Sequence, residues 1–234
     1  MKFITSLFAK LRTFFGSIAQ PAAPAGTTTA PHIRMLLLHL CNQDAEQATW
    51  VARWLAYPLR HPGAKMQTAL LVAGLQAAGK SLLFEKVVGP MYGSQAQLGG
   101  VLPRRTFNGW AIGKRYAVLQ EIQLADLATG TIKSLIASPN IVVRRHGMPD
   151  IAISNSLNVV LMTADDVQQP GDCRRLVALK PQHPLPVELA AAVAHEIENG
   201  GLVDFHQYLT QELDMGNFDQ YATPYVATAS AVAV

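Results

Sequence analysis

The sequence predicts an α/β domain whose parallel sheet is covered by helices on both faces. Three observations carry that expectation. Short apolar runs in "MQTALLVAG", "RYAVLQEI", "LNVVLMTADD" and "CRRLVALK" lack the polar alternation of a half-exposed strand, so they read as strands buried on both faces. Helical patterns separate most of them, as crossovers between parallel strands require. The first run ends in a glycine-rich loop that opens into a helix pattern.

The 234 residues suffice for one sizeable domain with appendages, and with 50% apolar and 15% charged residues a real core can be buried. A net charge of +3 permits a nucleic-acid partner without demanding one. Cys41 and Cys173 stand far apart with no C-x-x-C spacing, so they read as reduced thiols of a cytosolic protein. No apolar run reaches the roughly 18 residues of a membrane-spanning helix, and no repeat is visible.

Residues 1–19 read as an amphipathic helix. Ile4, Leu7, Phe8, Leu11, Phe14, Phe15 and Ile18 line one face, and Lys2, Lys10 and Arg12 keep largely to the other. Such a helix suits a hydrophobic groove on a protein or a membrane surface, with a targeting segment as the third reading. Residues 20–31, "QPAAPAGTTTAP", form a linker, so the folded domain is expected to start near His32 and to span 32–215.

Within it, 42–57 reads as a helix capped by Asn42 or Asp44, with Trp50, Val51, Trp54 and Leu55 as its apolar stripe. "PLRHPGAK" then turns the chain before the first strand. "KSLLFEKVVGPMYG" is the helix after the glycine-rich loop, and "ADLATGTIKSLIAS" is a helix with Gly130 as its weak spot. "NIVVRRHGMPDIAISN" reads as a hairpin with Gly147 and Pro149 in its turn. "VELAAAVAHEIENGG" is a glycine-capped helix followed by "LVDFHQYLTQEL", and 216–234 is a tail without a pattern.

The loop "GLQAAGKS", 74–81, fits G-x-x-x-x-G-K-[ST] in the strand–loop–helix setting that the motif needs. Backbone N–H groups and the helix N-terminus would surround a phosphate of ATP. Gly74 and Gly79 let the backbone curl, Lys80 would reach the β- and γ-phosphates, and Ser81 would offer its hydroxyl to Mg2+. A second carboxylate is expected at the end of a neighbouring apolar strand. "YAVLQEI" supplies Glu121, whose ordinary alternative is a solvated strand end, but the residue before it is Gln120 rather than an aspartate. Arg144, Arg145 and His146 are by default a solvated loop, and Trp50, Trp54 and Trp110 are most simply core. No H-E-x-x-H, serine elbow or Cys/His pair is present.

Taken in order, "HPGAK", the glycine-rich loop, "FNGW", "YAVLQEI", "LNVVLMTADD" and "CRRLVAL" resemble the helicase part of phage- and plasmid-type primase–helicases. These are superfamily 3 helicases of the AAA+ class, and the likeness covers roughly 35–215. The resemblance implies a P-loop AAA+ type domain in a homo-oligomer, a hexamer, that binds ATP and Mg2+ and moves on single-stranded DNA. It implies that Lys80 and Ser81 meet ATP and Mg2+, that Glu121 activates water beside the metal, and that Arg174 or Arg175 reaches a neighbouring subunit's γ-phosphate. It also implies that Arg144, Arg145 and His146 face DNA. The chain departs from that pattern at Gln120, at Ala164 where a sensor asparagine is usual (Thr163 partly serving), at Cys173, and at Ala77 and Ala78.

Two functions follow as expectations. One is an oligomeric ATPase acting on single-stranded DNA in replication of a phage or mobile element, with weakened hydrolysis. The other is a nucleotide-binding structural protein with a degenerate site, held to a membrane or partner by residues 1–19. The location expected is cytoplasmic, with membrane association through the N-terminal helix as the alternative.

Overall fold

The computed structural model describes residues 29–101, 108–127, 130–165 and 175–223. The amphipathic helix expected over 1–19, most of the linker, Cys173 and Arg174 lie outside them.

The chain enters through helix α1 (Pro31–Leu40), with proline at a first-turn position where its missing N–H costs nothing. Helix α2 (Ala45–Arg60) is capped by Asp44, whose carboxylate accepts from the Gln47 N–H at 2.9 Å. The expected stripe is its buried face, with Val51 and Trp54 wholly buried. The helix runs on through Pro58 to Arg60, past the turn expected at Pro58.

Strand β1 (Ala69–Val72) leads into the 74–81 loop and helix α3, a π-helical segment (Leu82–Val88) continuing into an α-helical turn (Gly89–Tyr92). Strand β2 (Ala96–Val101) follows, then a short 3-10 turn (Gly109–Ala111) and strand β3 (Tyr116–Gln120). The helix expected around Gly130 is described in two stretches, α4 (Leu124–Leu127) and α5 (Gly130–Ala137), with 128–129 between them outside the described residues. The hairpin strands are β4 (Asn140–Arg145) and β5 (Met148–Ser154). Their turn is His146–Gly147, and Pro149 lies inside β5, a correction to its expected place in the turn. A two-stranded ribbon has only edges, where proline is tolerated. Strands β6 (Asn158–Met162) and β7 (Leu176–Leu179) precede helices α6 (Val187–Glu198) and α7 (Gly201–Gln207), the latter extended by a π-helical turn (Tyr208–Glu212). Residues beyond the helices still pack on the domain, since Phe218 meets the rings of Trp50 and Tyr57 at 5.7 and 5.8 Å.

The main sheet has the order β2-β3-β6-β1-β7, and every pairing in it is parallel. The two-residue period of the strands divides the core. Leu70 and Val72 of β1, Val118 of β3 and Val160 of β6 pack with α1, α2 and α3. Ala69, Leu71, Leu119 and Leu161 pack on the other face with α5 and the hairpin. The strand carrying Glu121 is not beside β1 as expected. Strand β6 lies between β1 and β3, so the sheet presents three adjacent strand ends, β1, β6 and β3, at one edge.

A candidate phosphate site at the C-terminal edge of the sheet

The loop after β1 turns on three left-handed residues. Gly74, Ala77 and Gly79 have φ of 81°, 60° and 92°. Gly79 has a φ that side chains rarely adopt, and an added Cβ would also press on Leu36 Cδ1 at 2.8 Å and Leu185 Cδ2 at 3.1 Å. The loop is therefore backed by α1 and by the segment after β7, whose Leu185 N–H donates to the Ala77 carbonyl at 3.0 Å. Lys80 Nζ donates to the Gly74 carbonyl at 2.7 Å and approaches the Thr163 carbonyl at 3.4 Å. Partial burial lowers the pKa of its ammonium from the ordinary lysine value. A phosphate group would offer this cation a charged partner that the two neutral carbonyls do not.

Thr163, at the end of β6, stands close to Lys80. Its N–H donates to the Val72 carbonyl at 3.1 Å, and its hydroxyl accepts from the Asp165 N–H at 3.1 Å. Thr163 is buried, and Ala164 beside it is exposed. Of the two residues considered for the sensor position, it is Thr163 that comes near the loop. Glu121 follows β3 at the same edge, exposed, with φ of 54°. Left-handed backbone on a glutamate is uncommon and marks a constrained turn. The Ile122 N–H donates to the Met162 carbonyl at 3.1 Å, so the turn is tied to β6.

Ser81 Oγ lies 4.0 Å from Met162 Sδ. Gln120 Nε2 donates to Glu85 Oε1 on α3. Tyr116 fixes the helix over the strand, its hydroxyl donating to the Phe84 carbonyl at 3.0 Å. Burial pushes the Tyr116 phenol well above its ordinary pKa, with Tyr92 and Glu85 adding to the shift, so it stays a donor. Among the described residues no group of three or more His, Cys, Asp or Glu side chains is arranged to hold a metal. Among the described residues at this edge, oxygens suited to Mg2+ are carried by the Ser81 hydroxyl and by the carboxylates of Glu85, Glu121 and Asp165.

Arg175 is placed elsewhere. Its carbonyl accepts from Ala69 N at 2.8 Å, at the start of β7 and the start of β1, which is the sheet edge opposite the loop. The hairpin residues are also apart from the loop. Arg144 is exposed and pairs with Asp150 at 3.1 Å, and Arg145 lays its stem against Gly109 with Nε buried and unpartnered. His146 is exposed at the turn. Trp54 is core as expected, its Nε1 donating to Thr68 Oγ1 at 2.9 Å, whereas Trp50 and Trp110 are half-buried. Cys41 is buried, its thiol pushed up to about 12 chiefly by desolvation. No helix among the described residues is long and apolar enough to cross a membrane.

Comparison with known proteins sets this geometry in a family of folds. A family of unknown function, DUF5906, matches residues 72–175, a stretch that runs from the end of β1 to the start of β7. No curated protein matches the chain. Solved structures of the apo NrS-1 C terminal region superpose with a TM-score of 0.64 at 19% identity over 84% of this chain and 48% of that one. A second apo structure of that region gives a TM-score of 0.65 at 19% identity, over 84% of this chain and 49% of that one. JCV helicase, solved with a small molecule bound, aligns at 16% identity and a TM-score of 0.45, over 89% of this chain and 60% of that one. The chain thus shares its fold with the NrS-1 region and spans about half its length.

The residue that the sequence does not bring forward is Glu85. Its one local signal is that it follows Ser81 by four positions, a spacing that puts the two on one helix face. Its contact with Gln120 spans 35 positions and has no signature along the chain.

Proposed function

We propose that the domain binds ATP at the 74–81 loop and belongs to an oligomeric superfamily 3 helicase-type ATPase that acts on single-stranded DNA in replication of a phage or mobile element. The observation that carries this reading is the strand–loop–helix unit at the C-terminal edge of a parallel sheet. Lys80 folds back onto the Gly74 carbonyl there, and the ends of β6 and β3 stand alongside. Open α/β sheets bind ligands outside the carboxyl ends of their strands. In this reading Gly74, Gly79, Lys80 and Ser81 hold the phosphates with Mg2+, and Glu121 orients the attacking water.

Arg175 lies too far across its own sheet to meet that phosphate, at the opposite ends of β1 and β7. In this reading Arg174 or Arg175 serves a neighbour's nucleotide instead, in a ring that is a hexamer by analogy with the resembling helicases. The β4–β5 hairpin, with Arg144, Arg145 and His146, then faces the DNA phosphates, weakened by the internal pairing of Arg144 with Asp150.

Gln120 favours slow turnover, since a lost polar group around a γ-phosphate is worth a few kcal/mol in the transition state. It also favours the second reading, a nucleotide-holding structural protein. One experiment measures phosphate release and binding of a non-hydrolysable ATP analogue, with and without single-stranded DNA, in wild type and Lys80→Ala. The expected outcome is binding weakened about a hundredfold in Lys80→Ala, about 2.7 kcal/mol, and DNA-stimulated release in wild type alone. Unchanged affinity in Lys80→Ala would sink the loop assignment. Binding without any release would favour the structural protein.

A further inference from the structure

The loop reading leaves the metal side of the site one carboxylate short, because Gln120 stands where an anion is expected. On that reading, we propose that Glu85 supplies the missing charge from the helix instead of from the strand. Four observations converge on it. Gln120 and Met162 are adjacent in the β3–β6 register, one step beyond the Leu119–Leu161 pair. Both continue the strand face that packs against α3, since Val118 and Val160 two residues earlier belong to that face. Met162 Sδ touches Ser81 Oγ at 4.0 Å, and Gln120 Nε2 donates to Glu85 Oε1. The hydroxyl expected at the metal and the Glu85 carboxylate therefore border the same two strand ends.

The chemistry suits an exchange of roles. A glutamine amide cannot carry the negative charge, but its N–H can hold one oxygen of a carboxylate. That leaves Glu85 Oε2 to accept from a metal-bound water, the way a carboxylate usually serves Mg2+ beside phosphates. Among the described residues no lysine, arginine or histidine comes within ion-pair distance of Glu85. The helix is held for this contact. Tyr116 bonds the carbonyl of Phe84, the residue before Glu85, and the segment is π-helical from Leu82. A single widened turn of this type often re-aims a side chain at a functional site.

The test reads binding, not turnover. Titration calorimetry with AMP-PNP is run in Mg2+ and in EDTA, with Mn2+ water-proton relaxation as a second readout. Wild type is expected to bind about tenfold or more tightly with Mg2+. Glu85→Gln is expected to keep its affinity in EDTA and lose most of the Mg2+ gain and the bound-Mn2+ signal. The exchange variant, Glu85→Gln with Gln120→Glu, keeps one amide and one carboxylate in contact and is expected to recover both. Should Glu85→Gln unfold, the exchange variant alone decides, by keeping or lacking the gain.

A Glu85→Gln variant with the full Mg2+ gain overturns the assignment while leaving the loop reading intact. So does a wild type whose nucleotide binding ignores Mg2+, or a folded exchange variant without the gain. Wild type that binds AMP-PNP in neither condition overturns the loop reading and the assignment together.

Discussion

The two edges of the parallel sheet are built on opposite terms. At the N-terminal edge, side chains staple backbone to backbone. Asn158 Oδ1 accepts from the Met66 N–H at 2.8 Å, and its amide donates to the Ala64 carbonyl at 3.1 Å. Asn155 donates to the Leu135 and Ser138 carbonyls at 3.1 and 2.8 Å, and Lys65 Nζ reaches the Leu157 carbonyl. Both asparagines are buried. At the C-terminal edge Thr163 is buried, but Gly74, Ala77, Gly79 and Glu121 all take left-handed backbone in turns, and Glu121 is exposed. One edge satisfies its own hydrogen bonds. The other holds Ala77 and Glu121 in left-handed backbone, which costs energy in a residue that carries a Cβ. A desolvated lysine rests on carbonyls at both edges, Lys80 here and Lys65 opposite, so backbone strain is what separates them. Strain of that kind collects where a ligand is to be met, and closed networks collect where the fold is held. "HPGAK", which the sequence offered as part of a helicase-like series, belongs by this measure to the holding edge, through Ala64 and Lys65, with Met66 after it.

The largest break in this contrast should come from Asn158→Ala. It strands the Met66 N–H and the Ala64 carbonyl, and each buried unpaired group costs about 1–3 kcal/mol. We expect a loss of about 3 kcal/mol in urea unfolding, with nucleotide affinity of the folded protein unchanged. A loss under about 1 kcal/mol would show that the edge is not held by this residue.

Lys65 sharpens the contrast through pH. Burial pushes its pKa down to about 7. Below that pH, lysine is protonated in both folded and unfolded chains, and stability does not depend on it. Above it the folded side chain is neutral while the unfolded one still binds a proton, so stability rises with pH until the ordinary lysine value near about 10.4. Wild type should gain about 1 kcal/mol over Lys65→Met between pH 7 and 8. Parallel pH profiles for the two proteins would place the ammonium in solvent.

Much of this was legible in the chain because it is local. Apolar runs without alternation gave β1, β3, β6 and β7, and the Asp44 carboxylate marked the start of α2. Helix α1 was not legible, because "IRMLLLHL" has no continuous polar face. The buried Ile33, Leu36, Leu37 and Leu40 keep the helical step, but Met35 and Leu38 are apolar off that face, so the period that marks a surface helix is blurred. Strand β2 was hidden by its own glycines. Gly99 and Gly100 argue against a strand, yet they sit at a register shift between Gln97 and Gly100 on an edge, where glycine is admitted. The site divides in the same way. The loop is a contiguous motif, while the Glu85–Gln120 contact and the distance of Arg175 from the loop depend on strand order, which no local pattern specifies.

The smallest expected effect lies inside the loop and tests whether its strain is intrinsic. Ala77 holds φ of 60°, a left-handed backbone that crowds its Cβ against the following carbonyl. Glycine takes that conformation freely but adds freedom to the unfolded chain, so the two terms oppose each other. The left-handed penalty of roughly 1–2 kcal/mol exceeds the entropy cost of roughly 0.4–1 kcal/mol, and Ala77→Gly should stabilise the protein by about 0.5 kcal/mol. The Leu185 N–H to Ala77 carbonyl bond uses backbone alone and survives the change. Urea unfolding of wild type and Ala77→Gly measures the difference, with Ala78→Gly as the control, since Ala78 is buried and has no positive φ. Stabilisation at 77 with a loss at 78 places the strain in the loop's backbone. An equal loss at both would mean that the left-handed turn costs nothing here, and the contrast between the edges would then rest on Glu121 and on the buried asparagines of the opposite edge.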